Sequence, residues 1–160
     1  MKNDEFAHIT DCHLDEKFVH ELGVDTRVNW TTLLNDIKSK GIKKIVFGGD
    51  IGEVSAHKWF FDSIKDFDYY ISPGNHDSAQ LLNQFYKPDD KISNGVLYTA
   101  WEDEFNKYLI MDSSTEEISD SQFEWFIAEA KTTKTINLFV HHPILGIEAV
   151  IDKRFYLVGR

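Results

Sequence analysis

Short apolar stretches alternate with longer amphipathic stretches through the first half of the chain. The apolar stretches Phe6–Ile9, Lys43–Phe47 and Tyr69–Ile71 have the length of strands. Between them, Arg27–Lys40 and Ser55–Lys65 carry apolar residues at helical spacing. An order of strand, helix, strand, helix, strand is typical of parallel strands joined by right-handed crossovers. The pattern therefore predicts a parallel sheet built from these three strands.

The helix predicted over Arg27–Lys40 has an apolar side and a clear end. Gly41 follows it as a C-terminal stop. The apolar residues that fall near one side are Val28, Leu33, Leu34 and Ile37. We expect this side to pack against the sheet.

The second half of the chain predicts a different arrangement of strands. Val96–Trp101 and Lys107–Asp112 are strand-like, and the acidic stretch Glu102–Glu104 between them is typical of a hairpin turn. A final strand is predicted over Ile136–Val140. These strands indicate a second sheet.

A further helix is predicted to begin near Ile118. Ser119 and Gln122 have the spacing of a capping box. In that motif the serine side chain accepts from the backbone of the third helical residue, whose own side chain reaches back to the serine.

Polar clusters follow the three strands of the first sheet and the final strand. They are Asp11-Cys12-His13, Gly48-Gly49-Asp50, Asn75-His76-Asp77 and His141-His142-Pro143. Polar ligands of parallel sheets gather beyond the carboxyl ends of the strands. Taken singly, each cluster also has a structural explanation, as a capping group, a glycine turn, an Asx turn or a stiff strand exit.

Together the clusters supply donors that suit two divalent cations. Asp11 and His13 alternate in an extended segment, so both can face one ion. The Asp50 carboxylate has two oxygens and can bridge two ions. Asn75 offers a neutral oxygen, and His76 can donate a proton near neutral pH.

Two neighbouring positions refine this picture. Asp77 is placed to orient the imidazole of His76 through its other ring nitrogen. His141 and His142 are adjacent, so their side chains diverge and only one of them is expected to point into the site.

Composition limits the class of protein. A chain of 160 residues with 42% hydrophobic residues can form one domain with a sizeable core. The net charge of -10 argues against a surface that binds nucleic acid. Cys12 is the only cysteine, and no apolar run has the length of a membrane span or a signal peptide. The sequence therefore predicts a cytoplasmic protein with no membrane partner.

The ordered motifs resemble the calcineurin-like metallophosphoesterases. The segments FAHITDCHL, IVFGGDI, ISPGNHD, LIMDSSTEEISDSQFEWF and LFVHHPI are similar to the bacterial class III cyclic-nucleotide phosphodiesterase branch. This resemblance implies an α/β fold, a two-sheet sandwich flanked by helices. It also implies a cofactor of two divalent or trivalent ions of Mn, Fe, Zn or Co.

The resemblance also implies a role for each motif residue. Asp11 and His13 would hold the first metal, Asp50 would bridge both, and Asn75 and His141 would hold the second. His76 would contact the phosphate and assist the leaving group, with Asp77 as its orienting partner. His142 would have no direct role at the metals.

The chain departs from the family pattern at one motif. The family has a Gly-His-x-His motif towards its C-terminus, and none of the seven histidines here follows His142. We therefore expect residues 1–160 to form a single phosphoesterase domain without its C-terminal part. Its metals would be weakly held, and its second sheet would lack strands and leave an edge available for homo-oligomers.

The expected function is hydrolysis of a small phosphodiester or phosphomonoester, with cyclic nucleotides among the candidates, by attack of a metal-bound hydroxide. The alternative is a non-catalytic remnant that acts as a binding or interaction module. A nucleic-acid-processing phosphoesterase is disfavoured by the acidic charge.

Overall fold

The computed structural model describes residues 5–86, 92–93 and 96–143. These residues form an α/β arrangement of helices and sheets, as the sequence predicts. The predicted single domain over residues 1–160 extends beyond the described residues and stays a prediction.

The first sheet contains three parallel strands in the order β1-β2-β3. They are β1 (Ala7–Ile9), β2 (Lys44–Phe47) and β3 (Asp68–Ile71). All three predicted strands are confirmed, and their parallel pairing places their carboxyl ends at one edge. The polar clusters that follow them therefore begin at that edge.

Five helices occur within the described residues. They are α1 (Lys17–Glu21), α2 (Thr26–Ser39), α3 (Val54–Ile64), α4 (Ala79–Leu82) and α5 (Asp120–Glu129). Helices α2 and α3 pack on β2 through aromatic rings. The Phe47 ring lies 5.9 Å from that of Trp30 and 4.8 Å from that of Phe60.

The buried face of α2 differs from the predicted one. Trp30, Leu34 and Ile37 are buried, whereas Val28 is 58% exposed and Leu33 is 38% exposed. The buried residues follow the i, i+4, i+7 rows of one helix face, and Val28 lies on the opposite side. The prediction was therefore right for Leu34 and Ile37 and wrong for Val28 and Leu33.

The second sheet contains β6 (Thr99–Glu102), β7 (Asn106–Ile110) and β8 (Thr135–Phe139). β6 and β7 form the predicted hairpin, and β8 lies parallel to β7. The predicted strand Val96–Trp101 is in fact two strands. Its start, β5 (Val96–Leu97), pairs instead with β4 (Ile92–Ser93).

Only half of the predicted capping box forms at the start of α5. Ser119 Oγ accepts from the Gln122 backbone N–H at 3.3 Å. The Gln122 side chain turns away from Ser119 and bonds both backbone groups of Asp112, at 2.8 and 2.9 Å. Gln122 is buried, so its amide joins α5 to the end of β7.

Aromatic side chains join the two three-stranded sheets. The Tyr70 ring of β3 stacks on Trp101 of β6 with centroids 3.8 Å apart. Phe6 meets Tyr108 and Phe139 edge-on at 5.8 and 5.7 Å. These contacts bring the end of β8 to the edge where the first sheet carries its polar clusters.

Within the described part of the chain, no helix is both long and apolar enough to cross a bilayer.

Candidate metal centre

The loop after β1 runs beside the loop after β2 through backbone hydrogen bonds. The N–H of Asp11 donates to the carbonyl of Gly49 at 2.9 Å, and the N–H of His13 donates to the carbonyl of Asp50 at 3.1 Å. The Leu14 N–H continues the pairing to Ile51 at 2.8 Å. This parallel run brings the Asp-x-His cluster against the Gly-Gly-Asp cluster.

Three of the predicted ligands have a left-handed backbone. The φ angles are 56° at Asp11, 41° at His13 and 60° at Asp50. Such a conformation costs a residue with a Cβ of order 1–3 kcal/mol, and it persists where surrounding structure holds it, often at functional sites. These backbone conformations therefore set the directions of the three side chains.

The Asp50 carboxylate lies at the centre of the cluster and is buried. Its Oδ2 is 3.5 Å from His141 Nε2 and 3.7 Å from His13 Nε2. The same His13 atom lies 3.7 Å from Asp11 Oδ1. Asp50 Oδ1 accepts the backbone N–H of His76 at 2.9 Å. The structure thus brings Asp11, His13, Asp50 and His141 together, as predicted.

His141 is oriented by the backbone of the β2 loop. Its Nδ1 lies 2.8 Å from the Gly48 carbonyl oxygen, which can only accept, so this nitrogen carries the proton. In the neutral ring the other nitrogen, which faces Asp50, has a free lone pair, the arrangement typical of a metal-ligating histidine.

Two glycines allow these loops to approach each other. A Cβ on Gly74 would lie 2.1 Å from Asp50 Oδ1. A Cβ on Gly49, where φ is 104°, would lie 2.5 Å from the Gly74 nitrogen and 2.8 Å from His141 Nδ1. Both positions therefore require glycine, because any larger residue would displace a predicted ligand.

Asp77 has a different position from the predicted one. Its buried carboxylate accepts backbone N–H groups of Asp50 (2.8 Å), Ile51 (3.1 Å) and Gly74 (2.9 Å). Burial raises the pKa of this carboxyl, and the three N–H groups act in the opposite direction. Asp77 ties two loops together and does not orient the His76 ring.

Glu16 occupies the place that the sequence analysis gave to Asp77. Its Oε1 lies 3.1 Å from His76 Nδ1 and 3.0 Å from His13 Nδ1. The two rings meet edge-on at 5.0 Å. Sequence reasoning missed Glu16, although a carboxylate three residues after His13 was a signal that could have found it.

Asn75 and His142 form a pair beside the centre. Asn75 Oδ1 lies 3.1 Å from His142 Nε2, and His142 Nδ1 lies 2.8 Å from the Ser113 carbonyl oxygen. The rings of His141 and His142 meet edge-on with centroids 4.8 Å apart, and only His141 contacts Asp50. The metal-binding role of Asn75 stays a prediction.

The donors fall into two groups among the described residues. Asp11, Asp50 and His141 have ligand atoms within 4.8 Å of one another, and so do His13, Glu16 and His76. Mixed carboxylate and imidazole donors suit borderline transition-metal cations. The chemistry of the residues therefore fits a metal centre.

A cavity of about 330 Å³ lies beside these groups. Asp11 and His13 form one wall, and side chains of α1 and α2, including Phe18, Trp30 and Leu33, form another. Its walls are mainly apolar. Its volume is in the range of small-molecule pockets.

Comparison with known proteins identifies a matching family and several similar chains. The family model for calcineurin-like phosphoesterases matches residues 5–156. A probable cyclic nucleotide phosphodiesterase of Fibrobacter succinogenes is 29% identical over 147 residues, which are 87% of this chain and 57% of that protein. A protein of the same name from Pseudoalteromonas sp. is 35% identical over 161 residues, or 92% of this chain and 59% of its own.

Two further proteins extend the comparison. A probable glycerophosphodiester phosphodiesterase of Arcobacter nitrofigilis is 30% identical, over 79% of this chain and 51% of its own. The crystal structure of a dimetal phosphatase from Danio rerio superposes with a TM-score of 0.64 at 12% identity, over 88% of this chain and 70% of that one. The chain thus has the fold of that phosphatase and spans just over half the length of the curated relatives.

Proposed function

Because the chain belongs to the calcineurin-like phosphoesterase family, we propose that it hydrolyses a phosphate ester with the help of two metal ions. The observation that carries this proposal is the convergence of two imidazoles on one buried carboxylate. His13 Nε2 and His141 Nε2 lie 3.7 and 3.5 Å from Asp50 Oδ2. A shared carboxylate of this kind suits a centre in which one residue serves two ions.

The residues divide into those that hold metal and those that face substrate. Asp11 and His13 would hold one ion, His141 and Asn75 the other, and Asp50 both. Bound cations neutralise charge that develops on a phosphoryl group and lower the pKa of water. Nitrogen and oxygen donors of this kind accommodate Mn, Fe, Zn or Co.

The Asn75 amide can bind a metal ion despite its contact with His142. His142 Nδ1 donates to the Ser113 carbonyl, so Nε2 of the neutral ring is an acceptor. In the structure the Asn75 oxygen faces this nitrogen. A rotation of the amide by about 180° would instead place its NH2 group against the acceptor and leave the oxygen free for a cation.

His76 would act on the leaving group. The ring is 43% exposed, next to the buried ligands. Its Nδ1 donates to Glu16, so Nε2 is the atom left for substrate. In the imidazolium form, with both nitrogens protonated, Nε2–H gives a proton or a hydrogen bond to a departing oxygen. Such assistance typically contributes roughly 10²–10⁴-fold to a rate.

A phosphodiester is the proposed substrate class. The relatives of Fibrobacter, Pseudoalteromonas and Arcobacter carry names that specify cyclic nucleotides or glycerophosphodiesters. The apolar cavity beside Asp11 and His13 offers room for the organic group of such an ester. The cytoplasmic location and the absence of a nucleic-acid partner stay predictions.

Substitution of Asp50 by Asn tests the metal centre. The amide keeps the shape of the side chain but loses the charge that two ions would share. We expect both metal-binding events to weaken together, and hydrolysis of bis-nitrophenyl phosphate with added manganese to fall by at least 10²-fold, the size of effect typical of one catalytic group. Isothermal titration gives the number of sites, and absorbance gives the turnover.

The exposed carboxylate of Asp62 provides a matched control, because it pairs with Lys58 on the outside of α3. Asp62→Asn should leave metal binding and turnover unchanged. If Asp50→Asn weakens one site alone, the bridging role is wrong. If the unaltered chain binds metal without turnover, the non-catalytic alternative is favoured.

A further inference from the structure

Glu16 is a buried carboxylate that contacts two histidines from different motifs. It lies at the start of α1, with only 8% of its surface exposed. One of its oxygens, Oε1, is 3.0 Å from His13 Nδ1 and 3.1 Å from His76 Nδ1. A carboxylate has no proton to donate when ionised, so both ring nitrogens must donate to it.

We propose that Glu16 is a positioning residue that fixes the tautomer and direction of both imidazoles. In each neutral ring the proton is then on Nδ1, and the lone pair of Nε2 is free for another partner. For His13 that atom faces Asp11 and Asp50 at 3.7 Å to each carboxylate. Carboxylates that hold the far nitrogen of a metal-ligating histidine fix its ring and raise its basicity.

The contact to His76 gives Glu16 a second task. His13 belongs to the predicted metal ligands, and His76 to the groups that face substrate. A single oxygen between them sets the position of one ring relative to the other, and the rings meet edge-on at 5.0 Å. Glu16 therefore couples the placement of the metal to the placement of the leaving group.

The surrounding loop holds Glu16 before any ligand binds. Its N–H donates to the His13 carbonyl at 3.3 Å, and its own carbonyl accepts from Val19 at 3.1 Å. The preceding residue, Asp15, accepts the single Nε–H of Arg27, which is shared between its two oxygens at 2.8 and 3.2 Å. The carboxylate thus projects from a backbone that is fixed on both sides.

A metal held by His13, Glu16 and His76 themselves is the competing explanation, since their donors lie within 4.8 Å of one another. The geometry favours positioning. The two Nδ1 atoms lie at hydrogen-bond distance from Oε1, and the remaining nitrogen of His13 already faces two carboxylates.

The first experiment measures tautomers in the metal-free chain, so its result does not depend on activity. Long-range ¹H–¹⁵N NMR distinguishes Nδ1–H from Nε2–H in neutral imidazoles, and His13→Asn and His76→Asn variants assign the two rings. We expect the Nδ1–H form for both rings, and a mixture of tautomers in Glu16→Ala. Neutral Nε2–H tautomers in the unaltered chain, measured at a pH at which both rings are neutral, would overturn the proposal, even where Glu16→Ala does not fold.

The second experiment measures manganese binding, and its catalytic meaning rests on the proposed function. Loss of an outer partner typically costs 10–100-fold in metal affinity or activity. We expect a loss of that size in Glu16→Ala, and a smaller loss in Glu16→Gln, which keeps one acceptor oxygen. Glu21→Ala is the matched control, because Glu21 is exposed and pairs with Lys17 on the same helix.

The outcomes separate the two proposals. If both rings have the Nδ1–H form but the chain does not hydrolyse esters, the positioning role stands and the proposed function is wrong. Turnover that persists with unchanged metal affinity in Glu16→Ala would remove the positioning role and keep the function. Tight binding of an additional ion that Glu16→Ala abolishes would replace positioning by ligation.

Discussion

At the scale of single residues, the centre depends on backbone conformations that most side chains avoid. Asp11, His13 and Asp50 all lie in the left-handed region. Each is a proposed metal ligand, and each is held by hydrogen bonds between the loops after β1 and β2. The strain of these positions is therefore offset by the sheet that the loops extend, and the ligand directions are set before metal binds.

Gly74 is the residue whose small size matters most directly to Asp50. In Gly74→Ala the new Cβ would overlap Asp50 Oδ1, at 2.1 Å, so the carboxylate or the loop must move. Overpacking of this kind costs about 1–3 kcal/mol of stability. We expect that loss in chemical denaturation, together with weaker manganese binding by titration.

Gly41→Ala is the control for this prediction. Gly41 has a φ of 74°, but its Cβ would meet no atom within 4 Å. The substitution should cost about 1 kcal/mol through backbone strain and leave metal affinity unchanged. Equal effects of the two substitutions on metal binding would show that crowding at Asp50 is unimportant.

The sequence predicted the residues that converge, but not their supporting partners. Asp11, His13 and Asp50 were accessible because each follows a strand of one parallel sheet, and such strands end at one edge. His141 follows a strand of the other sheet, and its place among the ligands came from the family resemblance. Glu16 was missed, although it lies three residues after His13. Asp77 was given the wrong partner, because the hydrogen bonds of its carboxylate depend on loop directions that no spacing rule supplies.

At the scale of elements, strands of the first sheet were predicted better than the helix faces. A short apolar run is compatible with few structures other than a strand. The buried face of a helix is harder to predict, because apolar residues occur in more than one row along the helix. Val28 was assigned to the buried side of α2 and lies on the exposed one. The break in Val96–Trp101 was also missed, because β5 pairs with β4 and this pairing cannot be seen in the local pattern.

Helix α3 contains a buried histidine outside the candidate metal centre. His57 is 1% exposed, and neither ring nitrogen has a hydrogen-bond partner among the described residues. Burial lowers its pKa, while the charge of Asp77, 4.0 Å away, acts in the opposite direction. The unfolded chain therefore binds this proton more readily than the folded one, so His57 reduces stability as the pH falls below about 6.5.

Replacement of His57 by Leu should remove this dependence. We expect the free energy of unfolding to fall less between neutral pH and pH of about 5 than it does in the unaltered chain. Denaturant titrations at several pH values measure it. His20→Leu changes an exposed imidazole and serves as the control. An unchanged slope in His57→Leu would contradict the assignment of acid sensitivity to this residue.

At the scale of the whole molecule, the candidate metal centre draws its residues from two sheets. Asp11, His13, Asp50 and Asn75 follow strands of the first sheet, whereas His141 follows β8 of the second. The centre therefore exists only where the sheets are correctly placed against each other. Across an interface of this kind, sequence patterns predict each sheet but give no information on their relative position.

Trp101 is the side chain that spans this interface. Its ring stacks on Tyr70 of the first sheet at 3.8 Å and on Phe139 at 6.0 Å, and Phe139 ends β8 two residues before His141. In Trp101→Ala we expect a loss of about 3 kcal/mol, the lower end for removal of a large aromatic ring. His141 should then be displaced from Asp50, so manganese affinity should fall in the folded protein as well.

Trp125→Ala provides the comparison that separates general stability from placement of His141. Trp125 lies on α5 and contacts Tyr98 at 5.0 Å. Its removal should lower the midpoint of denaturation but leave metal affinity intact, because α5 holds none of the four converging side chains. Manganese titration and denaturation on both variants measure the two effects independently. If Trp101→Ala lowers stability but binds manganese as tightly as the unaltered chain, His141 is positioned by its bond to Gly48 alone, and the packing of the two sheets has no part in forming the centre.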